Sequence, residues 1–134
     1  MKSVSNLLTM VALSSVLTLV FVTNRALAQD PVKVSPNVYK VLLENDRVRV
    51  LEMKVKPGEK DKLHSHPSEV VHFINGGKVR INLPDGAAPE MEIPDGHVMW
   101  HEVWTHMVEN IGSSEIYAII VEIRDVAEEP TSQE

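Results

Sequence analysis

The sequence predicts an all-β domain, either a sandwich or a barrel of short strands. From Val38 onward, short segments rich in β-branched residues alternate with clusters of glycine, proline, asparagine and serine. No stretch keeps a helical apolar period long enough for a core helix. Regularly spaced short strands are typical of sandwiches and barrels, and 134 residues suffice for one domain with one core. The predicted strands are residues 38–43, 47–55, 63–66, 70–74, 78–83, 90–93, 97–100, 106–110 and 115–124.

The first 28 residues have the features of a cleaved signal peptide. Lys2 is followed by a nearly unbroken apolar run over residues 7–22, and Ala26-Leu27-Ala28 forms a small-x-small cleavage site. An uncleaved membrane anchor is the alternative, but the run is shorter than the roughly 20 apolar residues of a spanning helix. We therefore expect cleavage after Ala28, export to the periplasm or the medium, and no stable membrane association of the mature chain.

The rest of the chain is expected to divide into three parts. Residues 29–46 form an N-terminal arm and the first strand, and the two prolines within residues 29–37 favour an extended arm. Residues 47–124 form the β-barrel. Residues 125–134 are mostly polar and acidic and are expected to form a frayed tail.

Charge and cysteine content exclude several classes of function. Without residues 1–28 the chain keeps 11 basic and 19 acidic side chains, a net charge of −8. Such a surface argues against nucleic acid or an anionic membrane as the partner. The sequence has no cysteine, so it can form neither a disulfide nor a thiolate metal site. The domain must be held together by its core alone, or by its core with a metal ion or a second subunit.

Two local patterns bear on packing. In residues 115–124 both alternating sets of side chains are largely apolar, which predicts a final strand covered on both sides. An apolar outer face would favour a homodimer, and the alternative is that residues 29–43 fold back over that face. Asn75-Gly76-Gly77 predicts a hairpin turn, because glycine supplies the positive φ of tight primed turns.

Three of the six histidines fall within residues 64–73, the segment HSHPSEVVHF. His64 and His66 are two apart on a predicted strand, so their side chains share a face about 6.6 Å apart and can converge on one ion. Glu69 opens the next strand, with its side chain on the face opposite His72. His106 begins a later strand. These residues either bind a metal or form a polar edge without chemistry.

The spacing of these residues resembles the two sequence motifs of the cupin family. In the first motif five residues lie between a glycine and an H-x-H pair, and six lie between a following glutamate and a second glycine. The second motif ends in H-x3-N. The matching residues, within roughly residues 47–124, are Gly58, His64, His66, Glu69, Gly76, His106 and Asn110. The resemblance implies a single-domain jelly-roll β-barrel with one metal inside, bound by His64, His66, Glu69 and His106, with Asn110 supporting the site.

This sequence departs from the family motifs at two places. Only two residues separate His66 from Glu69, where the family has three or four, so the fourth metal ligand is Glu69, His72, His101 or water. His101 and Val103 stand where the family carries P-x-G before the second-motif histidine. The strand that leads to the second motif therefore differs from the family pattern next to the predicted metal site.

The remaining histidines and the tryptophans have plainer interpretations. His97 and His101 alternate with Met99 on one predicted strand face and are expected at the rim of the barrel. His72 is expected in packing or at an interface. The two tryptophans, Trp100 and Trp104, are expected in the core or at the mouth.

Three imidazoles with one carboxylate or water suit Mn²⁺, Fe²⁺, Ni²⁺ or Zn²⁺. An open coordination position would let the metal act as a Lewis acid or activate water, and the resemblance then implies a metal-dependent dioxygenase, isomerase or lyase for a small organic molecule. The sequence shows no dedicated general base. A non-catalytic metal- or ligand-binding module and a barrel with a purely structural metal stay open as alternatives. Because each histidine must lose its proton to bind, the metal should be released as pH falls through and below about 6.5.

Overall fold

A computed structural model describes residues 29–124 of the chain. The predicted signal peptide, residues 1–28, and the predicted acidic tail, residues 125–134, lie outside the described residues. Between residues 29 and 124, no helix has the length and apolar character needed to cross a membrane. The described elements are α1 (Pro31–Val34), β1 (Tyr39–Glu44), β2 (Val48–Val55), β3 (His64–His66), β4 (Glu69–Asn75), β5 (Gly77–Asn82), β6 (Glu90–Ile93), β7 (Val98–His101), β8 (Trp104–Asn110) and β9 (Ile116–Ile123).

The strands form two sheets around one core, which confirms the predicted all-β jelly-roll barrel. The five-stranded sheet has the order β1-β2-β9-β4-β7, and the four-stranded sheet has the order β3-β8-β5-β6. Buried apolar side chains from both sheets meet between them, among them Leu51 and Val55 of β2, Val79 of β5 and Val108 of β8. The interior therefore receives side chains from every second position of each strand.

The final strand, β9, is buried on one face only. Its inward side chains are Ile116, Ala118, Ile120 and Glu122, and all four are buried. The outward set is half-buried, apart from Ile123, which is 37% exposed. The outward apolar face predicted from the sequence is thus present, but the described chain covers it only in part.

The N-terminal arm differs from the predicted extended segment, because Pro31–Val34 forms one turn of helix. Asp30 caps this turn by accepting a hydrogen bond from the Val32 N–H at 3.0 Å, and Pro31 suits the first helical position because its missing N–H needs no partner there. The other oxygen of Asp30 lies 2.9 Å from the Arg49 guanidinium. The turn packs on β1 and β3, and β1 is itself the edge strand of its sheet. The arm therefore does not fold back over the outward face of β9.

The prediction of a hairpin at Asn75-Gly76-Gly77 is wrong. β4 pairs with β7 and β9, whereas β5 pairs with β6 and β8, so the short connection passes from one sheet to the other. Glycine is required here for space: a Cβ on Gly76 would lie 1.9 Å from the Ile93 carbonyl oxygen. The Gly76 N–H also donates to the Asp95 carboxylate at 2.7 Å. A close backbone approach, not a primed turn, explains this glycine.

Candidate metal centre

Two antiparallel strands bring the three candidate histidines together. β3 pairs with β8 so that His64 lies directly opposite His106, and His66 lies opposite Trp104. The imidazoles of His64 and His66 point inward because they are two residues apart on β3. His64 is 0%, His66 2% and His106 3% exposed. Their nitrogen ligand atoms lie within 4.8 Å of one another.

The hydrogen bonds of His64 and His66 fix which nitrogen carries the proton. Nδ1 of His64 lies 2.7 Å from the Lys62 carbonyl oxygen, and Nδ1 of His66 lies 2.7 Å from Oε1 of Glu122. A carbonyl and an ionised carboxylate can only accept, so each neutral imidazole holds its proton on Nδ1 and has a lone pair on Nε2. The two Nε2 atoms are 2.9 Å apart. That separation matches the roughly 3 Å expected of neighbouring nitrogen ligands on one metal ion.

Two other buried atoms in this cluster, unlike the Nε2 atoms of His64 and His66, have no hydrogen-bond partner. They are Nδ1 of His106 and Oε2 of Glu69. The Glu69 oxygen is 3.1 Å from Nδ1 of His66, but the proton of that nitrogen is directed to Glu122 at the shorter distance of 2.7 Å. Buried polar atoms are normally paired, and a bound cation can serve as the partner of either atom. The donor set therefore fits a divalent metal ion.

Burial keeps His64 and His106 in the neutral form that metal binding requires. It lowers the pKa of His64 to about 4. Burial, together with the neighbouring His64 and His66, lowers the pKa of His106 to about 2. Protons therefore compete for these nitrogens only at pH values well below the ordinary histidine range.

A carboxylate from the opposite sheet supports His66. Burial alone would raise the pKa of Glu122, but hydrogen bonds from His66 and Arg49 outweigh it and hold that pKa below its usual value. Nε of Arg49 lies 2.5 Å from Oε2 of Glu122, and the same guanidinium contacts Asp30. Glu122 thus stays ionised and can orient the imidazole of His66, as carboxylates beside metal-binding histidines do.

Asp61 and Tyr39 lie behind His64. The Tyr39 hydroxyl donates to Oδ2 of Asp61 at 2.7 Å, and its oxygen lies 3.2 Å from Nε2 of His64. Burial raises the pKa of Asp61 to about 6, although Tyr39 and the Val108 N–H both donate to it. Burial and the Asp61 carboxylate raise the pKa of Tyr39 well above its usual value. Both side chains are buried, so His64 has polar neighbours within the protein on this side.

An aromatic stack leads away from the histidines. The Trp104 ring lies on His106, with centroids 3.6 Å apart and planes inclined by 26°. His101 lies on the Trp104 ring at 4.1 Å and 13°. The indole N–H of Trp104 donates to Oε1 of Glu69 at 2.9 Å. Trp104 therefore fixes the positions of both Glu69 and His106.

The histidine cluster lies at the buried end of a cavity of about 220 Å³. His66, Glu69 and His106 contribute to its wall, and most of the other lining side chains are apolar. Toward solvent the wall includes Met91, which is 40% exposed, and the half-buried His101. A small molecule that entered the cavity would meet two of the three clustered histidines.

No protein-family model matches the chain, and no curated protein matches it. Among solved structures, a cupin domain from Bordetella pertussis is 26% identical and aligns with a TM-score of 0.61, over 66% of this chain and 93% of that one. The chain has the fold of a small cupin domain.

Two more distant structures share this fold. A cupin family protein from Methanocaldococcus jannaschii is 18% identical, with a TM-score of 0.54 over 65% of this chain and 79% of that one. A conserved protein with a double-stranded β-helix domain from Klebsiella pneumoniae is 19% identical, with a TM-score of 0.53 over 67% of this chain and 79% of that one. These two likenesses concern the fold alone.

The fold brings together the four candidate metal ligands predicted from the sequence motifs, His64, His66, Glu69 and His106. The three histidines form one group, and Glu69 forms a second, overlapping group with His66 and Glu122, its atoms again within 4.8 Å of one another. His72 is exposed on the outward side of β4, and His97 is exposed just before β7. Of the other residues considered for the fourth ligand, His101 lines the cavity.

The tryptophans and Asn110 have separate places. Trp104 is partly buried against the core, whereas Trp100 is 51% exposed on the outward side of β7. Asn110 is buried, and its amide donates to the carbonyl oxygens of Val55 and Ser114 while its side-chain oxygen accepts from Gly112. Asn110 therefore braces the turn after β8, and its hydrogen bonds do not go to the histidines.

Sequence reasoning missed Glu122, Asp61 and Tyr39. One signal could have identified Glu122: it interrupts the apolar inward set of β9 with an acid, and a buried acid needs a partner. Asp61 has no such signal, because it lies in a polar loop before β3. Tyr39 has the pattern of an ordinary core residue.

Proposed function

We propose that this cupin binds one divalent metal ion through His64, His66 and His106 and presents it to a small organic molecule held in the adjoining cavity. The observation that carries the proposal is the convergence of the three imidazoles: the Nε2 atoms of His64 and His66 are 2.9 Å apart, and the three histidines each offer a ligand atom within 4.8 Å of the other two. The metal would be Mn²⁺, Fe²⁺, Ni²⁺ or Zn²⁺. When bound, such an ion supplies Lewis acidity or activates water.

The cavity favours a functional metal over a purely structural one. Structural metal sites are closed by protein ligands, whereas functional sites keep a position open to a ligand. Here His66 and His106 belong to the cavity wall, so a molecule in the cavity could reach the same ion that they hold. This arrangement supports a metal-dependent dioxygenase, isomerase or lyase, with a non-catalytic binding module as the second candidate.

Glu69 is the residue best placed to move a proton. It lines the cavity, is 1% exposed, and has one oxygen held by Trp104 and the other unpaired. Burial raises its pKa, against opposing contributions from His66 and Trp104. A carboxyl group with a raised pKa in a cavity suits general acid–base catalysis. The unpaired oxygen of Glu69, Oε2, could instead be the fourth metal ligand. Metal analysis of Glu69→Gln would separate the two roles: loss of metal would indicate a ligand, whereas full occupancy would leave the proton-transfer role.

Water-proton relaxation of the Mn²⁺-loaded protein, purified without a polyhistidine tag, tests the open coordination position. We expect strong enhancement of the relaxation rate, because water exchanges at the ion through the cavity. His97→Ala should behave like the wild type, since His97 is exposed before β7. Full Mn²⁺ occupancy without enhancement of the water-proton relaxation rate would mean that protein ligands fill all coordination positions and that the metal is structural. Turnover screening of small acids, alcohols and phenols then separates an enzyme from a binding module.

We also propose that the protein is exported, on the sequence features of residues 1–28. The pattern of a short basic start, an apolar run and Ala26-Leu27-Ala28 supports periplasmic or secreted protein that begins at Gln29. Mass spectrometry of the protein from its native cell tests this start, and an intact Met1 in the mature form would contradict it.

A further inference from the structure

We propose that the cavity takes an uncharged aromatic alcohol with a single ring, held so that its ring lies among the methionines of the wall and its oxygen faces the histidine cluster. This inference deepens the proposed function and rests on it. Three observations support this inference: the volume of the cavity, the chemistry of the side chains that line it, and their charge.

The volume limits the ligand to one ring. An apolar cavity of about 150 Å³ holds benzene, and pockets for drug-sized molecules are about 300 Å³ or larger. The cavity of this cupin, at about 220 Å³, lies between these sizes. It has room for one ring with short substituents and not for a fused or two-ring molecule.

The chemistry of the wall favours an aromatic ring over a sugar. Met53, Met91 and Met99 line the cavity together with Phe73 and Trp104. Thioether sulfur makes favourable contacts with aromatic rings, and unbranched methionine side chains adapt to the outline of a ligand. A sugar would need a hydrogen-bond partner for each hydroxyl group, and a mostly apolar wall would leave most of them unsatisfied.

The charge of the wall favours a neutral ligand over a carboxylate. The lining residues include no lysine and no arginine, whereas they include Glu69 at the buried end. Glu122 lies next to Glu69, since both contact Nδ1 of His66. A ligand carboxylate would therefore have only the metal ion as a counter-charge and would lie beside two acidic residues. A phenol-type oxygen avoids that repulsion and still reaches the ion.

Methyl NMR of methionine-labelled protein tests the inference, with para-cresol as the probe and para-toluate and glucose as comparisons. Zinc-loaded and metal-free samples of the full protein are titrated, and elemental analysis records their zinc content beforehand. We expect para-cresol to shift the methyl signals of Met53, Met91 and Met99. Met107 is the internal control, because it lies on the outward face of β8, next to His106 along the chain. Para-cresol should bind about tenfold or more tightly than para-toluate, whose charge lacks a counter-ion in the wall.

A matched pair of variants checks the location. Met91→Trp narrows the solvent-exposed end of the cavity and should weaken para-cresol binding by about tenfold, whereas Met107→Trp should leave it unchanged. The inference is overturned if no cavity methionine shifts, if para-toluate or glucose binds as tightly as para-cresol, or if Met107 shifts with the others. Failure of the wild type to take up zinc would overturn the proposed metal site, while normal zinc content without methionine shifts would overturn only the inference about the ligand.

Discussion

Glu122 accepts a hydrogen bond from Nδ1 of His66 at 2.7 Å, although the two residues belong to different sheets. His66 is on β3 of the four-stranded sheet, and Glu122 is on β9 of the five-stranded sheet. The contact therefore joins the two sheets through the candidate metal centre. It also holds the proton of His66 on Nδ1, which leaves Nε2 free to bind a metal.

Replacing Glu122 should weaken metal binding without removing any proposed ligand. Glu122→Gln keeps the approximate shape of the side chain but removes the charge that orients His66 and pairs with Arg49. Loss of a carboxylate behind a metal-binding histidine typically costs about 10–100-fold in affinity. Competition titration with a metal-sensitive dye measures the change. Glu115→Gln is the control, because Glu115 is exposed in the turn before β9. Equal affinity of Glu122→Gln and the wild type would show that Glu122 does not support the site.

The sequence identifies His64 and His66 through local spacing alone, because residues two apart on a strand share a face. His106 could be added only through the family resemblance, since alternation along a strand does not reveal which distant strand is its neighbour. Glu122 stayed hidden for the same reason: its contact with His66 depends on how the two sheets pack. Asn75-Gly76-Gly77 misled because Gly76 serves a close approach to Ile93, which local turn preferences do not encode.

The metal-free protein should lose stability as pH falls from about 6.5 toward 4. In the unfolded chain a histidine titrates near 6.5, whereas the pKa of folded His64 is about 4 and that of folded His106 is about 2. The unfolded state thus binds more protons in this window, so protonation favours unfolding. Asp61 opposes the trend. Its pKa of about 6 in the folded protein lies above its unfolded value, so protonation of Asp61 stabilises the folded state as pH falls.

Urea unfolding of chelator-treated protein between pH 7 and 4 checks this balance. The free energy of unfolding should fall with pH, and it should fall more steeply in Asp61→Asn, which lacks the opposing group. A free energy that is constant or rises toward acid pH would contradict the account. The same lowered pKa values place proton-driven release of bound metal at a more acidic pH than the ordinary histidine range suggests.

Trp104 should report metal binding through its fluorescence. Its ring lies 3.6 Å from the His106 ring, whereas Trp100 is 51% exposed on the outward side of β7. Ni²⁺ should therefore quench the emission of Trp100→Phe, which retains Trp104, and leave that of Trp104→Phe largely unchanged. Trp104→Phe also removes the hydrogen bond to Glu69. Quenching of the two variants to the same extent would contradict the assigned position of the metal.

The outward face of the five-stranded sheet should form a homodimer. Cross-strand pairing places one continuous apolar row across all five strands, formed by Leu43, Val50, Val121, Val70 and Trp100. Leu43 is 49% and Trp100 51% exposed, and the three valines between them are half-buried; contiguous exposed apolar side chains favour an interface. Val121→Glu at the centre of the row should convert a dimer into a monomer in sedimentation experiments. Met107→Glu, on the outward face of the other sheet, is the matched control. A wild type that sediments as a monomer at high concentration would contradict the prediction.

Elemental analysis of the protein, purified without a polyhistidine tag and reconstituted with metal, tests the central claim most directly. We expect one divalent ion per chain in the wild type, and loss of most of it in both His64→Ala and His106→Ala, because these two residues face each other across β3 and β8. His72→Ala and His97→Ala should retain the ion, since both side chains are exposed. Circular dichroism confirms that each variant keeps its strands. A wild type that binds no stoichiometric metal, or a His106→Ala variant that keeps it while His97→Ala loses it, would contradict the account.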